Sequence, residues 1–162
     1  MIFVITGSQK FQFNRLLRKI DDLVATGALA EEVFAQTGHS DYCPKHYAYK
    51  NLLGRDEFRE MTEKSDLVIS HGGTGAIIGA VKSGKKVVAV PRLAKYGEHV
   101  DDHQTQLLKQ FEESNLITYC MDVENLMDAI HKALQKDFKS YQSNTQVIMD
   151  DIEEFLLGNQ EK

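Results

Sequence analysis

The sequence predicts an α/β fold in which a mostly parallel β-sheet carries helices on both faces. Short apolar segments alternate with amphipathic stretches along the 162 residues. Ile2–Ile5, Leu67–Ile69 and Val87–Val90 are apolar throughout, as expected of parallel strands that are buried on both faces. Glycine-containing turns follow two of the predicted strands, at the edge where open parallel sheets bind ligands.

Apolar periodicity assigns the first elements. The strand Ile2–Ile5 is followed by an apolar repeat of three to four residues over 13–24, which predicts a helix that ends at Gly27. The β-branched and aromatic residues of Glu32–Ala35 predict a strand. Alternating apolar side chains predict a further short strand near 46–51.

Glycine, proline and cap residues mark the boundaries of the later elements, because each favours backbone that ends or begins a regular segment. In order, the predicted elements are a helix at Arg55–Lys64, a strand at Asp66–Ser70, a helix at Ala76–Lys82 closed by Gly84, a strand at Lys86–Val90 ended by Pro91, a loop at 92–101, a helix at Asp102–Glu113, a strand at Leu116–Cys120 and a helix capped by Asp122.

The last segment has a different character. Its apolar residues fall on one stripe of an acidic stretch, which predicts an amphipathic helix over 145–157. The stripe consists of Val147, Ile148, Ile152, Phe155 and Leu156. Such a helix either packs on its own domain or docks on a partner subunit.

Length and composition predict one globular domain over residues 1–162. The 24 acidic and 19 basic residues leave a net charge of −5, which argues against a nucleic-acid-binding protein. Two cysteines, Cys43 and Cys120, are too few for a disulfide scaffold. With no apolar run long enough to span a membrane and no targeting signal, we expect a soluble chain in a reducing cytoplasm.

The charge is distributed unevenly. Residues 1–20 and 67–97 contain basic residues and no acidic ones, whereas the last thirteen residues are mostly acidic. The acid-free stretches indicate a locally basic anion site. They also fit a simpler explanation, that buried strands and glycine turns leave no room for acids, and both explanations stay open.

Two glycine turns form the strongest candidate site. Glycine lets backbone N–H groups approach a ligand closely, and a helix N-terminus favours negative charge, so both turns suit a phosphate or diphosphate. The first follows strand one and contains Gly7, Ser8 and Gln9; the second follows the Asp66–Ser70 strand and contains His71, Gly72, Gly73, Thr74 and Gly75.

A third polar segment follows the strand that ends at Pro91. It lies at the same predicted edge of the sheet, where Arg92 is suited to neutralising a phosphate. Asp102, His103 and Gln104 stand at a helix start and are suited to hydrogen-bonding sugar hydroxyls. Taken alone, the segment also fits a solvated loop with an ordinary helix cap.

Three better-known sites are disfavoured. The spacing from Gly79 to Gly84-Lys85 matches a P-loop but continues with Lys86 instead of Ser or Thr, and it lies between a helix and a strand. The glycines from Gly73 onward depart from the dinucleotide fingerprint by one position. The histidine, cysteine and aspartate clusters near 39–46 and 99–103 lack metal-ligand spacing, so we expect neither a metal nor a cofactor.

Together these motifs resemble the C-terminal domain of glycosyltransferase family 28, the MurG-like family. The similarity extends to PssE-type subunits of exopolysaccharide and capsule synthesis, and to the soluble subunit of the two-part dolichol-pathway N-acetylglucosaminyltransferase. It is carried by Gly7-Ser8-Gln9, Ser70-His71-Gly72-Gly73-Thr74-Gly75 and, after Pro91, Asp102-His103-Gln104.

The resemblance implies the Rossmann-like, nucleotide-sugar half of a GT-B enzyme. The donor would be a UDP-sugar, with both glycine turns on the diphosphate and Gln104, with Asp102 or His103, on the sugar. The acceptor would be a polyprenyl-diphosphate-linked sugar. It would be bound by a membrane-associated, PssD-like partner that recruits this chain to the inner face of the membrane. The catalytic base stays unassigned: Glu98, His99 and the partner are the candidates.

One position departs from the family pattern. Relatives carry a glutamate early in the helix after the glycine turn, where it binds the ribose hydroxyls, and the matching position here is Gly79. This keeps open the alternative of a non-catalytic accessory subunit. An unrelated nucleotide-binding module is a separate alternative, which binding of ADP or NAD in preference to UDP would favour.

Overall fold

The computed structural model describes residues 1–141 and contains a six-stranded, entirely parallel sheet. The strands are β1 (Ile2–Ile5), β2 (Val33–Gln36), β3 (Ala48–Lys50), β4 (Leu67–His71), β5 (Lys86–Val90) and β6 (Thr118–Tyr119), in the order β3-β2-β1-β4-β5-β6. The helix predicted over 145–157 lies outside the described residues.

The described residues form five α-helices, of which four connect strands and the fifth follows β6. They are α1 (Asn14–Ala25), α2 (Arg55–Lys64), α3 (Thr74–Lys82), α4 (His103–Glu113) and α5 (Leu126–Gln135). Short 3₁₀ turns at Ala94–Tyr96 and Val123–Asn125 precede the last two. The Asp122 carboxylate accepts the N–H of Glu124 at 3.1 Å, so this residue caps the second 3₁₀ turn rather than α5 itself.

Alternate residues of each central strand enter two separate cores, because side chains along a strand point to opposite faces. In β1, Ile2 and Val4 pack with α1 and α5, whereas Phe3 and Ile5 pack toward α2 and α3. All four are at most 2% exposed. The uninterrupted apolar run of β1 is therefore explained by burial on both sides, as predicted.

Two boundaries differ from the prediction for a physical reason. Helix α3 begins at Thr74, two residues earlier than predicted, with Gly73 at its N-cap. Gly75 has a low helix propensity, so the sequence predicts that the helix begins after it. In the structure, the turn that follows β4 leads directly into the helix at Thr74. Strand β6 is confined to Thr118–Tyr119, because only Val88 and Ala89 of β5 pair with it.

Helix α3 ends in a Schellman arrangement. The N–H of Gly84 donates to the carbonyl of Val81 and that of Lys85 to the carbonyl of Ala80, both at 3.0 Å. Gly84 has φ +70°, a backbone conformation that side-chain-bearing residues adopt only with strain. Gly79, in the same helix, is exposed, and a Cβ built on it meets nothing within 4 Å.

These two glycines predict opposite effects of the same substitution. Gly79→Ala should raise the free energy of unfolding by about 0.5–1 kcal/mol, because alanine is the better helix former and finds open space. Gly84→Ala should lower it by roughly 1–2 kcal/mol, because alanine is strained at positive φ. Urea unfolding of both variants checks this, and equal shifts in the same direction would contradict it.

Candidate functional site

A cleft of about 720 Å³ opens at the carboxyl ends of β1 and β4. These neighbouring strands flank the point where the order of the sheet reverses, since the chain fills β2 and β3 on one side and β5 and β6 on the other. Such a switch point is where open α/β sheets bind ligands. Ten of the twelve predicted site residues line the cleft: Gly7, Ser8, Gln9, His71, Gly72, Gly73, Thr74, Gly75, His103 and Gln104.

The two glycine turns meet around the imidazole of His71. Gly7 has φ +85°, and a Cβ added to it would lie 2.6 Å from His71 Nε2. A Cβ on Gly73 would overlap the same nitrogen. Both positions therefore require glycine, because any larger residue would displace the ring or the turn.

Burial keeps His71 neutral. Its Nδ1 lies 3.2 Å from the carbonyl oxygen of Ile5 and so carries the proton that it donates there. Desolvation, reinforced by the charge of Arg92, lowers the pKa of His71 to about 4. At neutral pH its Nε2 is consequently an unprotonated nitrogen that faces Gly7 and Gly73.

The N-terminus of α3 supplies the positive electrostatics of the cleft. The N-cap Gly73 has no side chain to occupy the first-turn N–H groups, which belong to Thr74, Gly75 and Ala76. The first turn contains no acidic residue. The helix dipole therefore favours an anion at this end of the cleft.

The start of α4 closes the opposite side. Gln104 Oε1 accepts the backbone N–H of Arg92 at 3.0 Å, which leaves the amide nitrogen as a donor. Its side chain packs on Gly72, where a Cβ would lie 2.5 Å from Oε1. The N–H of His103 donates to Asp101 Oδ1 at 3.1 Å, which fixes the beginning of the helix beside the cleft.

Arg92 and Asp102 lie outside the lining. Arg92 is 1% exposed, and its guanidinium donates to the carbonyls of Thr6 and Phe11 beneath the first glycine turn. Asp102 Oδ1 accepts the N–H of Ala94 at 2.8 Å. In the structure, both side chains bind the backbone of the surrounding loops, and their contacts with a ligand stay a prediction.

The two candidate bases have different environments. Glu98 is fully buried and accepts hydrogen bonds from Arg15 Nε at 3.0 Å, from Arg15 Nη2 at 2.9 Å and from the N–H of Leu93. Breaking such a pair costs roughly 3–5 kcal/mol, so this carboxylate stabilises the loop through its hydrogen bonds. His99 lines the cleft, with Nδ1 at 3.3 Å from Asp101 Oδ1 and its ring against Phe11.

The acid-free stretches, which indicated a locally basic anion site, do not bring basic side chains into the lining of the cleft. Among the residues that line it in the described part of the chain there is no lysine or arginine. Lys82, Lys85 and Lys86 follow α3 toward the start of β5, at the opposite edge of the sheet. The acid-free stretch 67–97 contains β4, α3 and β5, so it runs from one edge of the sheet to the other and back. Its basic residues therefore do not lie at one site.

The lining also contains seven residues that the sequence did not predict as donor-binding: Ile5, Gln36, Phe58, Ala76, His99, Asp101 and Leu107. Of these, His99 was considered as a base, and the cluster near 99–103 that includes Asp101 was considered as a metal site. Gln36 is the last residue of β2 and is 5% exposed, with Oε1 accepting the N–H of Leu53. Its position was available in principle, because β2 pairs with β1 and ends at the same edge. Phe58 reaches the cleft from α2, which no local pattern indicates.

The described residues show neither a metal cluster nor a membrane-spanning helix. Over 1–141, no group of three or more histidine, cysteine, aspartate or glutamate side chains is arranged to hold a metal ion. In the same range, no helix has the length and apolar character needed to cross a membrane.

Sequence comparison identifies relatives of the chain. Human "UDP-N-acetylglucosamine transferase subunit ALG13" is 30% identical over 108 residues, which cover 67% of this chain and 8% of the human protein. The Kluyveromyces lactis protein of the same name is 33% identical over 69 residues, or 42% of this chain and 33% of the yeast protein. The matched regions thus span a third or less of these relatives.

Solved structures share the fold. The glycotransferase of kitacinnamycin superposes with a TM-score of 0.60 at 15% identity, covering 84% of this chain and 35% of that one. Acinetobacter baumannii MurG superposes with a TM-score of 0.52 at 19% identity, covering 82% and 41%. These matches confirm the predicted fold class, a Rossmann-like sheet of the kind found in one half of a GT-B enzyme.

The family assignment rests on sequence along most of the chain. The sequence model of the glycosyltransferase family 28 C-terminal domain matches residues 1–156. This confirms the resemblance inferred from the glycine turns and the Asp102-His103-Gln104 segment. The chain therefore belongs to the glycosyltransferase family 28 C-terminal domain family.

Proposed function

We propose that this chain is the donor-binding subunit of a UDP-sugar-dependent glycosyltransferase. The observation that carries the proposal is the cleft at the switch point of the sheet, where two glycine turns and the N-terminus of α3 converge. Backbone N–H groups and a helix dipole suit a diphosphate. Because the ALG13 relatives are named as UDP-N-acetylglucosamine transferase subunits, UDP-N-acetylglucosamine is the first donor to test.

Each side of the cleft takes one part of the donor. The turn at Gly7–Gln9 and the turn at Gly72–Gly75 hold the diphosphate through their backbone. The free amide nitrogen of Gln104, beside His103, donates to hydroxyls of the sugar. Arg92 and Asp102 act indirectly, because their side chains bind the loops that carry these groups.

An inverting transfer needs a stabilised UDP leaving group, a positioned sugar and a deprotonated acceptor hydroxyl. The helix N-terminus and the glycine turns serve the first need, and the start of α4 serves the second. For the third, His99 beside Asp101 is the candidate base within this chain. The other source is the acceptor-binding partner.

The partner in this proposal is a membrane-associated, PssD-like subunit. It recruits the chain to the inner face of the membrane and binds a polyprenyl-diphosphate-linked sugar, to which a hexosyl or N-acetylhexosaminyl group is transferred in exopolysaccharide or capsule synthesis. Support comes from the word "subunit" in the names of the relatives. The two solved glycosyltransferases also extend well beyond this domain, which covers 35% and 41% of them.

One observation favours a second function, that of a non-catalytic accessory subunit. Gly79 occupies the position where family members carry a ribose-binding glutamate, and it is exposed on α3, outside the lining of the cleft. An accessory subunit would keep the fold and its partner contact without binding donor.

Donor binding is predicted to depend on Gln104. Gln104→Ala should raise the dissociation constant for UDP-N-acetylglucosamine by about tenfold or more, because one sugar hydrogen bond is lost. Gln106→Ala, on the exposed face of the same helix, is the matched control and should bind normally. Titration calorimetry measures both, with melting curves to confirm that the variants fold. Undetectable binding by the unsubstituted chain, alone and with its partner, would overturn the donor assignment.

Donor binding is also predicted to take up protons. His71 has a pKa of about 4 in the free chain, and a bound diphosphate favours its charged form, so the bound pKa is higher. Affinity for UDP-N-acetylglucosamine should therefore strengthen as the pH falls below the bound pKa toward the free value of about 4, by at most about tenfold per unit for one proton.

Calorimetry in buffers of different ionisation enthalpy measures this uptake. The uptake should shrink in His71→Gln and persist in His131→Gln, a control at an exposed position of α5. Equal uptake in the two variants would show that another group titrates.

Sugar transfer is predicted to need both subunits. Membranes from cells that co-express this chain and the PssD-like protein should transfer radiolabel from a UDP-sugar to lipid, and membranes with either protein alone should not. Gln104→Ala should lower the rate by about tenfold or more, in step with donor affinity. Undiminished transfer with this variant would favour the accessory-subunit alternative.

A further inference from the structure

A second cavity, of about 380 Å³, lies at the amino-terminal edge of the sheet, away from the donor cleft. It is lined by the end of α3, the start of β5 and the stretch that follows α5. Five of its lining residues are lysines: Lys82, Lys85, Lys86, Lys136 and Lys139. Asp137 is the single acidic residue among the described residues of the lining.

The positive charge of these lysines is not balanced within residues 1–141. The ammonium groups of Lys85 and Lys86 donate to the backbone carbonyls of Glu63 and Leu134. Those of Lys82 and Lys136 lie 5.2 and 5.1 Å from the ring centroids of Tyr141 and Phe138. In this range none of the five lysines forms an ion pair with a carboxylate. Carbonyl dipoles and aromatic rings orient the lysines but leave their charge in place.

The chain reaches the rim of this cavity just before an acidic segment. Phe138–Tyr141 belong to the lining. Residues 142–162 then contain five acidic residues against one lysine, and their acids include Asp150, Asp151, Glu153 and Glu154. The family match continues to residue 156, so it includes most of this segment.

We propose that the acidic segment 142–162 binds in cis to the lysine cavity. Its carboxylates pair with the five lysines, and its apolar residues contact the apolar lining, which includes Val81, Leu116 and Phe138. Reach is not limiting, because the nine residues from Tyr141 to Asp150 span up to roughly 30 Å when extended. Attachment at the rim also gives the segment an effective concentration on the order of millimolar.

The inference goes beyond the proposed function and does not depend on it. The lysine cavity and the donor cleft lie at opposite edges of the sheet, and they share no lining residue. When it binds in cis, the segment competes with any partner subunit that binds the same lysines. A partner that binds the apolar stripe of the segment would likewise have to displace it from the cavity.

Zero-length carbodiimide cross-linking of the full chain tests the contact, because the reagent joins only carboxylates and amines that already touch. At micromolar protein, mass spectrometry should find cross-links from the five lysines to Asp150, Asp151, Glu153 or Glu154. The ion pairs Lys132–Glu112 at 3.1 Å and Lys50–Glu57 at 2.6 Å serve as internal positive controls.

Charge reversal makes the test specific. Lys82→Glu/Lys139→Glu should lower the remaining cross-links to the segment at least fivefold. Adding Glu153→Lys/Glu154→Lys should produce new cross-links of reversed polarity, from residues 153 and 154 to the two introduced glutamates. Lys45→Glu/Lys109→Glu, a control pair of exposed lysines outside the cavity, should leave the cross-links to the segment unchanged.

Two results would overturn the proposal. One is the absence of cross-links from the segment to the cavity while the internal control pairs react. The other is a set of cross-links that join heavy-isotope and normal chains in a mixed sample, which would assign the cavity to a second copy. The substituted lysines lie outside the donor cleft, so UDP-N-acetylglucosamine affinity should be equal in the charge-reversed and unsubstituted chains. If the unsubstituted chain binds no donor, that result overturns the proposed function and does not affect the contact proposed here.

Discussion

The cleft depends on one imidazole ring held between two glycine turns. His71 ends β4, and its Nδ1 donates to Ile5 at the end of β1, so the hydrogen bond joins the two central strands at the edge where they open. Gly7 and Gly73 approach the ring so closely that neither tolerates a Cβ. The ring sets the distance between the turns, and the turns bury the ring and keep it neutral. Geometry and protonation state are thus two results of the same packing.

Two buried charged side chains, Arg92 and Glu98, hold the loops around this ring in place. The Arg92 guanidinium binds the Thr6 and Phe11 carbonyls, which fixes both ends of the first glycine turn. Glu98, paired with Arg15, also accepts the N–H of Leu93. Arg92 Nε is buried without a hydrogen-bond partner in the described structure. The chain therefore places a partly satisfied cation under the cleft, where it lowers the pKa of His71 and adds positive potential without a lysine or arginine in the lining.

The sequence was most informative where local pattern and tertiary structure agree. The apolar runs of β1 and β5 and the helix Arg55–Lys64 are assigned at their observed positions, because burial on both faces and helical periodicity leave direct traces. Glycine turns at strand ends located most of the cleft. The burial of Arg92 and Glu98 could not be predicted, because a charged side chain in a polar loop gives no sign of whether it faces a ligand or the interior. Phe58 was missed because it arrives from a neighbouring helix.

The order of the strands has a consequence for how the protein acquires its cleft. Strand β1 pairs with β2 and β4, which lie more than thirty and sixty residues along the chain, and its turn is held by Arg92. Gln104 completes the lining later still. Such distant pairings pay the entropy of closing long loops before they gain contacts, which slows folding. During synthesis, the chain cannot form its cleft until α4 has been made, so a ligand in this cleft stabilises a fold in which β1, β4 and α4 have come together and no earlier intermediate.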